Sequence, residues 1–157
     1  MLTIPGILYN SGYEQMKRSA FEDCLCFQLN RVSRKITREY REEIAAFGLT
    51  HGQFFMLVAV LEDDGLPPSQ LAEKVNLDRA TTTGLLDRLA RDGWIERRHD
   101  SRDRRAYRIH LTRKALMHRK ALLSIFYRVN GAFIDRLSPD EWTHFQSVLR
   151  KLEQAEK

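Results

Sequence analysis

Apolar positions recur at steps of three and four between about Glu14 and Phe47. Leu25, Leu29, Val32, Ile36, Tyr40, Ile44 and Phe47 form one stripe, the pattern of an amphipathic helix. Arg31, Arg34, Lys35, Arg38, Glu39 and Glu42 fall on the opposite side. At ~1.5 Å per residue this helix is roughly 50 Å long. That exceeds what a small domain needs and predicts packing against a second chain. Gly48 ends the pattern. Thr50 and Gln53 have the spacing of a capping box and open a short, almost wholly apolar helix, Gly52 to Leu61, which should be buried. Pro67 or Pro68 starts the next helix, Ser69 to Val75, with Leu71, Ala72 and Val75 facing inward. Asp78 is placed to cap a third, Arg79 to Arg91. Its inner face reads as Ala80, Leu85, Leu86 and Leu89, and Gly93 terminates it.

The period then changes from helical to alternating. Trp94 to Arg97 and Tyr107 to Leu111 read as the two strands of a hairpin, joined by the polar stretch Arg98 to Ala106. Thr112 opens another long helix, Arg113 to about Arg136, with Leu116, Leu123, Phe126, Val129 and Phe133 as core positions. Ser138 to Glu141 is a second capping box and starts the last helix. The predicted fold class is mainly α with a small β-hairpin wing: a winged helix-turn-helix with a helical dimerisation region. The expected organisation is a flexible arm (1–13), an N-terminal dimerisation helix (14–47), a DNA-binding domain (48–112) and C-terminal dimerisation helices (113–157).

Charge sharpens this picture. The net charge of +5 doubles to +10 in a homodimer, which calls for an anionic partner. A membrane suits less well than nucleic acid, because no apolar run approaches the ~20 residues that span a bilayer. Pro5, Gly6 and Gly12 mark an irregular N-terminal arm without the pattern of a secretory signal. Cys24 and Cys26 lie two apart on a helix, so they point away from each other and predict neither a mutual disulfide nor a shared metal site. A reducing cytoplasm is the expected location.

The segment Arg97 to Arg108 holds six arginines in twelve residues: Arg97, Arg98, Arg102, Arg104, Arg105 and Arg108, opposed within it only by Asp100 and Asp103. A charge run is often just a solvated face. Here it tips a hairpin directly after a pair of helices joined by a tight turn, and a thin basic hairpin suits a DNA groove, where guanidinium groups meet enhanced negative potential. The helix Arg79 to Arg91 is the natural reader. Arg79, Thr81, Thr82 and Thr83 in its first turns, and Arg88 further on, offer groups for phosphates and base edges in the major groove. Three consecutive β-branched threonines are poor helix formers, so stability does not explain them.

Ser69-Gln70-Leu71-Ala72-Glu73-Lys74, Arg79-Ala80-Thr81, Leu86-Asp87-Arg88-Leu89, Asp92 to Arg98, Asp103-Arg104-Arg105 and Leu111-Thr112 resemble the MarR family of bacterial transcription regulators. The resemblance runs from about Leu25 to Lys114 and is specific from Leu71 to Thr112. It implies an obligate homodimer held by its first and last helices, with Arg79 to Arg91 in the major groove of double-stranded DNA and the wing in the minor groove of a palindromic operator. It further implies that Arg105 is the minor-groove arginine and Asp103 the acid that braces it. Gly84 departs from the family pattern, where a larger and often basic residue is common, and Ala115 replaces a common glycine.

Leu25-Cys26-Phe27 also resembles the peroxide-sensing (OhrR-type) branch of that family, in which an oxidised cysteine is held by tyrosines of the partner subunit. Tyr40 falls on a matching position, but at ~21 Å along the helix from Cys26 only Tyr40 of the partner subunit would reach it. Asn30 and His51 stand where that branch carries its other tyrosines. Two alternatives stay open. Cys26 as a small buried hydrophobe is one. A small aromatic ligand between the dimer helices and the DNA-binding lobe is the other, with Phe27, His51, Phe54, Phe55 and Phe126 as its lining or as plain core. No catalytic residues, metal or cofactor are expected: His51, His99, His110, His118 and His144 are scattered, and no phosphate loop or nucleophile motif occurs. The competing class is a winged-helix module used for protein contacts alone.

Overall fold

The computed structural model describes residues 21–100, 103 and 106–154. The chain divides into two compact units, Met1–Lys35 and Ile36–Lys157. In the first, the described residues begin with a turn over 21–24, and helix α1 (Leu25–Ile44) starts only at Leu25. The helix expected from Glu14 therefore does not run through 21–24, and residues 14–20 lie outside the described residues. Gln28 explains the turn: its side-chain Nε2 donates to the Glu22 carbonyl at 2.8 Å while its backbone amide closes the first helical turn on Cys24 at 3.0 Å. Phe21 packs against Phe27 with ring centres 5.1 Å apart. The expected arm (1–13) lies outside the described residues.

The second unit takes in the C-terminal half of α1, because Tyr40 and Ile44 are buried in its core. A single 3₁₀ turn, Ala45–Phe47, follows, and Gly48 closes it in the left-handed conformation (φ 66°) that glycine adopts at no steric cost. Helix α2 (His51–Glu62) starts at the Thr50–Gln53 capping box, with both reciprocal hydrogen bonds made, and is the central buried helix. Helix α3 (Pro68–Lys74) has Pro68 at its first position. Helix α4 (Arg79–Arg91) begins at Asp78 and ends before Gly93, whose φ of 74° turns the chain into the hairpin. Strands β1 (Ile95–His99) and β2 (Tyr107–Leu111) pair antiparallel, Arg97 opposite Ile109 and Arg98 opposite Arg108. The first strand thus runs two residues further than the alternation at Trp94 to Arg97 suggests. Helix α5 (Arg113–Ile134) is capped by Thr112, and α6 (Pro139–Glu153) by the Ser138–Glu141 box. Mainly helical with one small hairpin, the architecture is the one expected. No single helix among the described residues is long and apolar enough to cross a membrane.

The core gathers Phe54, Leu57, Leu61, Leu71, Leu86, Leu89, Trp94, Ile109 and Leu122. Two helical phases differ from expectation. On α4, Ala80 is exposed and Thr82 takes the inward position one turn before Leu85, Leu86 and Leu89. On α5, Leu116 is 53% exposed, and the buried row is Ala115, Leu122, Ile125 and Val129, with Leu123, Phe126 and Phe133 on its flank. A leucine beside an alanine draws the eye, but the core that α5 packs against takes the smaller residue inward.

The loop between α2 and α3 adds a short third rung to the hairpin. Gly65 N donates to the Ile109 carbonyl (2.8 Å) and Ile109 N to the Leu66 carbonyl (3.0 Å). Asp64 Oδ1 accepts from Leu111 N at 2.8 Å, and Arg108 donates to the Gly65 carbonyl at 2.9 Å. Gly65 is required here: its φ is +85°, and a Cβ would lie 3.0 Å from the His110 ring.

Candidate nucleic-acid interface

Helix α4 owes its position to the tight turn after α3. Leu77 N donates to the Ala72 carbonyl at 2.9 Å, and Asn76 adopts a positive φ of 51°, a conformation asparagine tolerates better than most residues. Asp78 then organises the first turn. Its carboxylate accepts from Thr81 N at 2.8 Å and from the Thr81 hydroxyl at 2.6 Å, and these bonds hold its pKa below the ordinary value. The Thr83 hydroxyl donates back to the Arg79 carbonyl at 2.8 Å. The three threonines therefore divide. Thr81 and Thr83 are exposed, their hydroxyls donating locally, while Thr82 is 1% exposed. The placement of Thr82 corrects the sequence reading, which put it on the outer surface with its neighbours. Its Oγ1 is buried without a hydrogen-bond partner among the described residues.

The outward side of α4 carries Arg79, Ala80, Thr81, Thr83, Asp87, Arg88 and Arg91, with Gly84 half-buried between them. Among the described residues no acid pairs with Arg79 or Arg88. This surface offers charge and hydrogen-bonding groups on a rigid rod, which is what reading a groove requires.

The hairpin is less uniformly basic than its composition suggests. Arg97 pairs with Asp87 of α4 and stacks over the Tyr107 ring at 5.1 Å. Arg98 pairs with Glu96, and Arg108 with Asp100. Asp87 and Glu96 were missed as partners in the sequence. Glu96 sits two residues from Arg98, so both point to one face of the strand, a relation the alternation already contains. Asp87 reaches Arg97 across two elements, which no local pattern announces. Of the predicted wing set, Arg97, Arg98 and exposed Asp103 are described. Arg102, Arg104 and Arg105, and the bracing of Arg105 by Asp103, lie outside the described residues.

The candidate sensing residues fall into both units. Cys24 and Cys26 are free and exposed in the single chain, which departs from the reading of Cys26 as a buried hydrophobe. Phe27 packs on Phe21 in the first unit. In the second, Tyr40, His51, Phe54, Phe55 and Phe126 come together: the His51 and Phe55 rings are 4.7 Å apart, Tyr40 and Phe55 5.1 Å, and Phe55 and Phe126 5.9 Å. Tyr40 is 3% exposed, its hydroxyl donates to the Phe126 carbonyl at 3.1 Å, and burial pushes its pKa up. Burial, and behind it the Arg41 charge, lowers the pKa of His51, so the ring favours its neutral form. Phe54 is wholly buried and belongs to the core. His51, Phe55 and Phe126 instead border an open groove of about 400 Å³ floored by Met56, Val75 and Leu77, with the Lys74–Glu62 ion pair (2.8 Å) on its rim.

The sequence model of the MarR family matches residues 49–107, the stretch that runs from α2 through the hairpin turn. The chain is 33% identical over 130 residues to the HTH-type transcriptional repressor YetL of Bacillus subtilis, covering 82% of this chain and 78% of that protein. It is 32% identical to the organic hydroperoxide resistance transcriptional regulator of the same organism, covering 70% and 74%. A solved structure of a probable transcriptional regulator from Pseudomonas aeruginosa superposes with a TM-score of 0.74 at 27% identity, over 83% of this chain and 98% of that one. With the capped α3–α4 pair, the basic hairpin and these matches in agreement, the chain belongs to the MarR family of DNA-binding transcription regulators.

Proposed function

We propose that this regulator works in the cytoplasm as a homodimeric repressor on an inverted-repeat operator and leaves it when a small effector binds. The observation that carries the reading is the outward side of α4, where Arg79, Thr81, Thr83 and Arg88 stand exposed on a helix whose first turn is fixed by Asp78. Beside it, the Arg97–Asp87 pair ties the hairpin to that same helix, so helix and wing would meet DNA in one fixed relation, α4 in the major groove and the wing in the minor groove. Apolar residues support the dimer: Leu25, Leu29 and Val32 on α1, and Phe145, Val148 and Leu152 on α6, are all exposed in the single chain.

Selection from a pool of random duplexes at near-physiological salt tests this directly. An enriched inverted repeat, with half-sites about one helical turn apart, is the expected result for a symmetric dimer. Weak, salt-sensitive binding with no enriched sequence would instead favour a protein-interaction module with a merely anion-attracting surface.

For release, the groove beside His51, Phe55 and Phe126 favours a small aromatic ligand: it is apolar, open, and bordered by a histidine held neutral. A second reading, oxidation of Cys26, is favoured by the exposure of that thiol and by the likeness to the hydroperoxide resistance regulator. Titrating the operator complex with an organic hydroperoxide separates the two. Release in wild type but not in Cys26→Ser supports the thiol, and identical behaviour of both proteins removes it.

A further inference from the structure

Gly84 is the sixth of the thirteen residues of α4 and sits deep in a regular helix. Glycine there is costly, because it gives up more backbone entropy than any other residue on folding. Most other described glycines have visible reasons, the exception being Gly131 of α5, where an added Cβ would only touch the Asp135 side chain at 3.8 Å. Gly48, Gly65 and Gly93 adopt positive φ, and at Gly52 a Cβ would press on Leu85 at 3.2 Å. Gly84 has neither: its φ is not positive, and a Cβ built on it meets nothing within 4 Å. Within the folded chain an alanine would fit at no steric cost and would favour the helix.

The side on which the space opens is informative. With ~100° per residue, Gly84 lies opposite Leu86 and Leu89, which are fully buried, and between Thr81 and Arg88, one turn away on either side and both exposed. The missing methyl therefore clears the centre of the surface that faces DNA. A Cβ adds about 1.5 Å beyond the Cα, comparable to the difference between a hydrogen-bonded base edge and one out of reach.

We infer that Gly84 is a specificity-determining residue: its bare Cα lets the α4 backbone approach the base edges at the middle of each half-site, so that Thr81 and Arg88 on its two sides reach the groove floor together. The inference rests on the DNA-binding role of α4. It assigns the helix a cost in stability that is recovered only in the complex with its own site.

The test compares wild type and Gly84→Ala. The variant is expected to melt about 1–4 °C higher, from the gain in helix propensity. It should bind the duplex selected by wild type about tenfold more weakly, while its affinity for a scrambled duplex stays within about twofold, since phosphate contacts supply that term. Repeating the selection with the variant should shift the preferred bases at the centre of each half-site. Equal affinity of both proteins for the selected duplex would overturn the inference. So would an equal loss on selected and scrambled duplexes, or a lower melting temperature, either of which would place the role of Gly84 in the helix rather than at the bases. If wild type itself selects no duplex, the DNA-binding reading fails and this inference fails with it, a result distinct from all the others.

Discussion

Thr82 carries a hydroxyl into a core that has no use for it. The group is 1% exposed and makes no hydrogen bond to any described residue, and a buried donor left unmade costs more than the bond would have gained. Valine has the same shape without that cost. Thr82→Val is therefore expected to raise the free energy of unfolding by about 1 kcal/mol in urea denaturation and to leave DNA affinity unchanged, because the side chain faces away from the outer surface of α4. A loss of affinity would return Thr82 to the interface. His51 gives a pH signature. Its folded pKa lies below its unfolded value of 6.5, so between the two the unfolded chain holds more protons, and stability falls as pH drops through that window. It is fully present above about pH 6.5. Urea midpoints at about pH 7.5 and about pH 5.5 should differ less in His51→Gln than in wild type. The carboxylates of Glu43, Asp78 and Glu141, held low by Arg128, Thr81 and Ser138 respectively, add a further loss at still lower pH in both proteins alike.

Elements were more legible than the faces they turn inward. Caps are local chemistry: Thr50 with Gln53, Asp78, Thr112, and Ser138 with Glu141 each announce a helix start within four residues, and all of them hold. The unbroken apolar run of α2 and the alternation of β2 are equally local. Rotation about a helix axis is not, which is why Ala80 and Thr82 on α4, and Leu116 on α5, face the other way from expectation: the choice is made by what packs opposite. The start of α1 was hidden for a similar reason, since the turn before Leu25 depends on a side chain, Gln28, bonding backward to Glu22. At the interface, composition found the basic hairpin, while the pairing of Arg97 with Asp87 depends on the angle between helix and strand. Thr112 does double duty at this scale. Its hydroxyl accepts from Ala115 N at 3.3 Å to cap α5 and donates to the Gly93 carbonyl at 2.7 Å, where α4 gives way to the hairpin. Thr112→Ala should cost about 1–2 kcal/mol in a denaturation experiment, and Thr112→Ser, which keeps both bonds, much less. Equal costs for the two would mean that the methyl group, not the hydroxyl, matters.

For the molecule as a whole, the unsatisfied apolar surface is the feature with the largest consequence. Helix α6 buries none of its residues in the single chain, yet Trp142 and Phe145 lie side by side on it with ring centres 6.1 Å apart. A helix that fully buries none of its residues draws little stability from packing, so α6 should be ordered further by association. Sedimentation of wild type is expected to give twice the mass of one chain down to low concentration. Phe145→Glu should shift the equilibrium toward single chains and reduce helical content together, and a full-mass dimer for that variant would remove α6 from the association surface. The rung that Gly65 and Leu66 add to β2 has a consequence of another kind. Helix α2 leads through Asp63 and Asp64 into Gly65 and Leu66, whose two peptide hydrogen bonds reach Ile109 in the middle of β2. Were α2 to shift, the movement would pass to the wing in part through these main-chain amides and carbonyls. Alanine scanning would read only the side-chain share of such a route, the Asp64 and Arg108 bonds and the room that Gly65 leaves for His110, whereas the main-chain share would show in the amide exchange of Gly65 and Ile109.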